Sequence, residues 1–290
     1  MLVLFIWPFD ADVERMKRGG HHWAWAPERG LTLIVVPRNA EKPVAPGWKP
    51  NEVRSYDWNI CMPIHTAAAW EGADGHIFVE SSRVHGNAFP FFPPNGEAPP
   101  QGDIETKADY VRWDIDPAKE DRSSLPDPKV ILDCPSEFPR IDERFMSHEY
   151  DYVWLNVFMP NNSDGQKNIF QGLNGLAMHS NKTGETKWFH VGDNSLVQEP
   201  IFIPRTDDAP EGDGWVIALV ERTGKASRCD LVVIDTREFE KPVAFVQLPF
   251  HVKAQIHGNW VDSRALGGYK PIVRQLPDFQ VSGKGSLEPL

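Results

Sequence analysis

Gly175-Leu176-Ala177-Met178-His179, Asn181-Lys182-Thr183-Gly184-Glu185 and Thr186-Lys187-Trp188-Phe189 read in succession as strand, turn and strand. Residues 231–246 repeat the scheme: Leu231-Val232-Val233-Ile234-Asp235, a turn, then Pro242-Val243-Ala244-Phe245-Val246. Short apolar runs bounded by Gly, Asn and Asp are strands rather than helices. Strand pairs of one recurring design are the stuff of β-propeller blades, each blade being a small antiparallel sheet. Further runs of this kind lie on the N-terminal side, at Leu31–Val36, His76–Glu80, Tyr110–Ile115 and Tyr152–Phe158, and between the two units at Ile201–Pro204 and Trp215–Val220. A single helix is expected, from Ala11 to Gly19, with Asp10 or Asp12 as its N-cap and Gly19-Gly20 as its stop. The pattern predicts an all-β fold, with a propeller as the first expectation and a large sandwich as the second. No linker with a shift in composition divides the chain, so residues 1–290 are expected to form one domain.

The chain has 290 residues, 41% hydrophobic and 24% charged, a balance able to bury a core. Lys and Arg number 30 against 41 Asp and Glu, a net charge of −11. No basic run exceeds two residues, which argues against a nucleic-acid partner. No stretch reaches the ~20 apolar residues of a membrane-spanning helix. Cys61, Cys134 and Cys229 lie far apart without a CxxC pair. A disulfide framework or a cysteine zinc site is therefore not expected, and a cytoplasmic, reducing setting is.

Met1-Leu2-Val3-Leu4-Phe5-Ile6-Trp7-Pro8-Phe9 opens the chain with a continuous apolar run. It lacks the preceding positive charge and following small residues of a signal peptide. It reads as a buried strand ending at Pro8, and such a strand needs neighbours on both sides. Two explanations stay open: a genuine N-terminal strand, or a chain that opens inside a domain whose earlier strands are absent. The second is the expectation.

Ten histidines raise the question of a metal. His21 and His22 are adjacent, and neighbours on a strand point to opposite faces. His76, His85, His148, His179, His190 and His251 sit among polar residues and read as solvated or hydrogen-bonded. His65 and His257 differ. His65 lies in Cys61-Met62-Pro63-Ile64-His65-Thr66-Ala67-Ala68-Ala69-Trp70-Glu71 and His257 in Ala254-Gln255-Ile256-His257-Gly258-Asn259-Trp260, both apolar settings. An imidazole buried there needs a ligand or an acceptor. Glu137, in Pro135-Ser136-Glu137-Phe138-Pro139, and Glu199, in Val197-Gln198-Glu199-Pro200-Ile201, are acids in apolar, proline-bounded strand starts. Such a carboxylate pairs either with a metal-bound histidine, which has an N–H to give, or with a Lys or Arg in an ordinary salt bridge.

At these residues the sequence resembles the carotenoid oxygenase family, which includes the stilbene-cleaving dioxygenases. Glu199-Pro200-Ile201-Phe202-Ile203-Pro204-Arg205, Glu211-Gly212-Asp213-Gly214-Trp215-Val216, Leu231–Asp235 and His257-Gly258-Asn259-Trp260 follow the order and spacing of its C-terminal motifs. Ser136-Glu137-Phe138-Pro139-Arg140-Ile141 resembles its middle motif. The segment His65–Glu71 resembles another, with Ala68 where the family has Asn. Residues Arg15–Trp23 are similar to the lignostilbene dioxygenase branch.

The resemblance implies a seven-bladed β-propeller, here incomplete, with Fe(II) held by four histidines, three of which hydrogen-bond to glutamates. His65 and His257 would be the third and fourth ligands, and so the catalytic pair, with Glu137 and Glu199 as two of the glutamates behind them. The other ligands belong to segments that in the family precede the strand resembling Leu2–Phe9. Neutral imidazoles suit Fe(II), and open coordination positions admit O2. The implied reaction cleaves one alkene C=C with O2 into two carbonyl products. The implied partner is an apolar conjugated small molecule, a stilbene ahead of an apocarotenoid. The loop Asn87-Ala88-Phe89-Pro90-Phe91-Phe92-Pro93-Pro94 would line its tunnel, make a peripheral membrane contact, or simply pack on the propeller. The competing function is a catalytically inactive fragment acting as a binding module.

Overall fold

The computed structural model describes residues 1–101, 107–159, 172–223, 227–252 and 257–267, with the backbone of Phe279–Val281 and Leu287–Pro289. Its contacts gather into two compact units, one built on Met1–Tyr150 and one on Asp151–Met159 and the chain from Gly172 onward.

The first unit contains β1 (Leu2–Ile6), β2 (Phe9–Ala11), α1 (Val13–Lys17), β3 (Trp23–Trp25), β4 (Leu31–Val36), β5 (Arg54–Trp58) and β6 (Thr66–Glu71). It continues with β7 (Ile77–Val84), β8 (Ala108–Ile115), β9 (Ser123–Ser124), β10 (Lys129–Leu132) and β11 (Ser136–Ile141). Two four-stranded sheets run β1-β4-β5-β9 and β10-β8-β7-β6, antiparallel except for the short β5–β9 pairing. Alternation along β4 is strict: Leu31, Leu33 and Val35 are fully buried, while Thr32, Ile34 and Val36 are only partly so. The buried row packs with Ile77, Val79, Val111, Trp113 and Ile115 from the second sheet. Period-two patterning is what lets one strand face a core and solvent at once. Helix α1 is a short turn of chain whose N-cap, Asp12, accepts the Arg15 N–H at 3.0 Å.

β1 departs from the expectation of a strand buried on both faces. Val3 and Phe5 pack against the core, but Leu2, Leu4 and Ile6 are each about half exposed. Among the described strands, β1 pairs with β4 alone, Leu4 opposite Ile34. A continuous apolar run carries no period from which to read an exposed face.

The second unit contains β12 (Tyr152–Val157), β13 (Gly175–Ser180), β14 (Thr186–His190), β15 (Ser195–Val197), β16 (Ile201–Pro204), β17 (Gly214–Arg222), β18 (Arg228–Asp235) and β19 (Pro242–Gln247). The two repeats seen in the sequence are the antiparallel pairs β13–β14 and β18–β19. Here β12 pairs with β13, and β17 with β18, Ile217 opposite Val233. β15 and β16 pair with β17 one after the other, Val197 opposite Val220 and Ile201 opposite Ile217. The chain between them, Gln198-Glu199-Pro200, interrupts the pairing where Pro200 has no N–H to give. The core joins Leu176, Val216, Ala218, Val232 and Ile234 to Trp154, whose ring stacks on Phe202 at 4.2 Å.

Candidate metal centre

In the first unit, His65 lies just ahead of β6 on a segment tied to β7. Met62 and Val84 exchange backbone hydrogen bonds of 2.9 and 2.8 Å, and the His65 carbonyl accepts the Ser82 N–H at 3.0 Å. Trp7 adds an indole N–H to the Pro63 carbonyl at 2.7 Å. β11 packs against β6 and β7, and so carries Glu137 to the histidine. Glu137, 5% exposed, places Oε2 2.6 Å from His65 Nδ1. An ionised carboxylate only accepts, so the pairing puts the ring proton on Nδ1 and the lone pair on Nε2, the tautomer that ligates a metal through Nε2. The other carboxylate oxygen, Oε1, is buried without a hydrogen-bond partner.

Phe138 sits beside this pair with φ of +49°. Left-handed backbone is unusual for a bulky aromatic residue, and such strain of about 1–3 kcal/mol concentrates at functional sites. Its N–H donates to Glu137 Oε2 at 2.9 Å, and its ring lies over the His65 imidazole, centroids 4.6 Å apart and planes 31° apart.

In the second unit, Glu199 occupies the interruption between β15 and β16 and is 7% exposed. It is a looser partner than Glu137. Its Oε1 stands 3.4 Å from His257 Nδ1, while Oε2 accepts the Gly258 N–H at 2.8 Å. A side chain at Gly258 would bring its Cβ to 3.1 Å from Ile201 Cδ1, which explains a glycine where the chain passes over β16. The His257 side chain is 57% exposed, unlike the buried imidazole its sequence setting predicts. Three residues of that setting, 254–256, lie outside the described residues. Beside His257 opens a cavity of about 310 Å³ walled by Ile201, Ile217, Leu219 and Leu231, with Gln198 and Asn259 at its polar side.

Each acid singled out in the sequence therefore meets one of the two histidines singled out there, in a pairing that the sequence left open, and each pair belongs to its own unit. The donor chemistry of both pairs suits Fe(II): imidazoles, with Nδ1 turned to a buried carboxylate. Among the described residues, no three His, Cys, Asp or Glu side chains gather into one metal-binding group.

Several of the remaining described histidines have ordinary partners. His76 pairs with Asp114 at 2.6 Å, His85 with Asp109 at 2.8 Å, and His179 with the Thr186 hydroxyl at 2.8 Å. The rings of His21 and His22 pack against Phe92.

Sequence reasoning missed two features. Phe138 gives no compositional sign of its backbone conformation. Glu80, fully buried in β7, accepts the hydroxyls of Tyr110, at 2.7 Å, and Tyr150, and two guanidinium N–H groups of Arg112 at 2.8 and 2.6 Å. Burial foremost, and the Glu80 charge after it, hold both phenols well above their usual range, so they stay donors. The signal was present: Phe78, Glu80 and Ser82 share one face of a strand whose neighbour carries Arg112 opposite Glu80.

Residues 1–262 match the retinal pigment epithelial membrane protein family. The chain belongs to that family, the carotenoid oxygenases. It is 59% identical over 289 residues to resveratrol cleavage oxygenase 1 of Botryotinia fuckeliana (strain B05.10), an alignment covering 100% of this chain and 51% of that protein. A lignostilbene dioxygenase from Pseudomonas brassicacearum superimposes with a TM-score of 0.76 at 34% identity, over 89% of this chain and 52% of that one. An apocarotenoid oxygenase from Synechocystis (mutant Trp149Ala, in that protein's own numbering) shares the fold with a TM-score of 0.72 at 19% identity, over 90% of this chain and 51% of that one. The fold is thus the all-β propeller type of the carotenoid oxygenases. The chain spans about half the length of the curated relatives it matches.

Proposed function

We propose that this protein is a non-haem Fe(II) oxygenase of the stilbene-cleaving branch, acting on the central alkene of a hydroxylated stilbene such as resveratrol. One alkene and one O2 give two aldehydes. The observation that carries the reading is the 2.6 Å contact of Glu137 with His65 Nδ1, which presets the metal-ligating tautomer. The 59% identity to a resveratrol cleavage oxygenase supports the substrate class.

His65 and His257 would hold Fe(II), which when bound supplies the activation of O2. The protein's own groups do the rest. Glu137 and Glu199 orient the imidazoles, and a glutamate in this position commonly contributes about 10–100-fold in metal affinity or activity. Ile201, Ile217, Leu219 and Leu231 give the cavity beside His257 an apolar wall that displaces water and suits a planar conjugated ring. An apocarotenoid is the second substrate class. The same proposal places the protein in the cytoplasm, on the support of three buried cysteines carrying free thiols.

A second reading, a binding module without turnover by itself, is favoured by the absence of three gathered ligand side chains among the described residues. One experiment separates the two. Resveratrol, O2 and Fe(II) are supplied to the 290-residue chain alone, and to the chain with a polypeptide covering the half of the Botryotinia relative that it does not align with. Aldehydes in either arm, lost with His257→Ala, support the oxygenase. Aldehydes in the second arm only, insensitive to His257→Ala, support the binding module. None in both arms overturns the oxygenase reading.

A further inference from the structure

The period of a β-strand sends neighbouring side chains to opposite faces. Along a regular β11, the Glu137 carboxylate and the Phe138 ring would therefore point apart. They do not. The left-handed φ of +49° at Phe138 breaks the alternation, and both groups meet the same imidazole. The carboxylate takes its Nδ1 edge at 2.6 Å, and the ring covers its face at 4.6 Å between centroids. The same turn of the backbone aims the Phe138 N–H at Glu137 Oε2, the oxygen that holds His65.

From this geometry we propose that Phe138 is a positioning residue for His65, and that its strained backbone is the device that does the positioning. Its N–H anchors the carboxylate against rotation about its last torsion. Its ring leaves the imidazole one plane in which to lie. With both in place, His65 keeps a single tautomer and a single orientation before any metal arrives. Other non-glycine residues with positive φ, namely Asn51, Arg122, Ser147 and Asn194, are polar and lie outside the strands. Phe138 is a large aromatic inside one, where a small or polar residue would hold the same conformation with less strain.

The inference rests on the reading of His65 as a metal ligand for its functional meaning, but its test does not need metal. The metal-free 290-residue chain, labelled at histidine with 15N, is compared with Phe138→Gly, Phe138→Leu and Phe138→Tyr by imidazole 1H–15N spectra and thermal melting. Glycine accepts left-handed backbone without strain, so Phe138→Gly is expected to melt no lower than wild type. Its His65 Nδ1–H should nevertheless exchange with water faster than in wild type. Phe138→Leu should exchange faster too, and Phe138→Tyr should restore the wild-type rate. Unchanged exchange in Phe138→Gly overturns the proposal. So does a parallel fall of melting temperature and proton protection in Phe138→Gly and Phe138→Leu, which would make the ring ordinary packing. Co(II) titration of wild type then addresses the ligand reading separately. A chain that protects the His65 proton but binds no Co(II) even when joined by the half of the Botryotinia relative that it does not align with overturns that reading and upholds the positioning.

Discussion

Glu137 Oε2 approaches His65 Nδ1 to 2.6 Å across 72 positions of sequence, and the same oxygen accepts the N–H of the next residue in the chain. Glu199 divides its two oxygens instead, with 3.4 Å to His257 and 2.8 Å to Gly258. One carboxylate meets its histidine at 2.6 Å; the other stands farther from its own.

The contrast predicts unequal responses to loss of charge. Glu137→Gln should weaken Co(II) binding by about tenfold or more, within the range known for such carboxylates. Glu199→Gln should weaken it by less. Titration of each variant by Co(II) absorbance gives the order directly, and the reverse order would show that distance to Nδ1 is not what matters.

Glu80 supports a prediction about stability. Its removal leaves Arg112 without its carboxylate and the hydroxyls of Tyr110 and Tyr150 without their acceptor. Glu80→Ala should lower unfolding free energy by about 3–5 kcal/mol, as expected when one member of a buried charged pair is deleted. Urea denaturation measures it. A loss below ~1 kcal/mol would mean water replaces the carboxylate.

The two phenols also set an alkaline limit. Their folded-state ionisation is raised well above the ordinary value by burial and the Glu80 charge. An unfolded tyrosine ionises near pH ~10, so above that pH the unfolded chain binds fewer protons and gains ground. The contribution to stability is thus complete below pH ~10 and declines as pH rises past it. Absorbance at 295 nm should show Tyr110 and Tyr150 ionising only together with unfolding. Phenolate signal from either in a folded chain, read by single Tyr→Phe variants, would contradict their placement.

All three cysteines are buried, and burial pushes the Cys61 thiol up to about 12. A thiol-specific reagent at pH 8 should find little to react with in the native chain and three thiols after denaturation. Rapid native labelling of Cys61, identified by mass spectrometry, would exclude the described packing.

β1 yields a prediction about association. Leu2, Leu4 and Ile6 are half exposed on a strand that, among those described, is paired on one side, and residues 1–9 carry no charged side chain. Strands of that kind recruit others. The isolated chain should elute from size-exclusion chromatography as concentration-dependent oligomers, and Leu4→Lys should shift it toward monomer. A sharp monomer peak for both would show the edge to be protected.

Much of this was legible in the sequence. β4 and β16 appear with the bounds their apolar runs predict, and the two strand–turn–strand repeats are hairpins. That Glu137 and Glu199 would each need a partner was legible, since a buried acid wants a donor; which histidine each would meet was not. The exposure of His257 did not follow, because local apolar composition does not say what covers a side chain. Phe138 was unreadable for a different reason: a backbone torsion imposed by tertiary contacts leaves no trace in residue type. Glu80 was readable but passed over, since a charge at the end of an apolar run looks like a strand terminus until the facing strand supplies Arg112.

Both histidine–carboxylate pairs close within their own compact unit, and this orders events during synthesis. Once Tyr150 has left the ribosome, His65, Glu137 and Phe138 already exist. His257 is made about a hundred residues later, which at about 5–20 residues per second is an interval of roughly 5–20 s. The Glu137–His65 contact can therefore close while the polypeptide that carries His257 is still being translated.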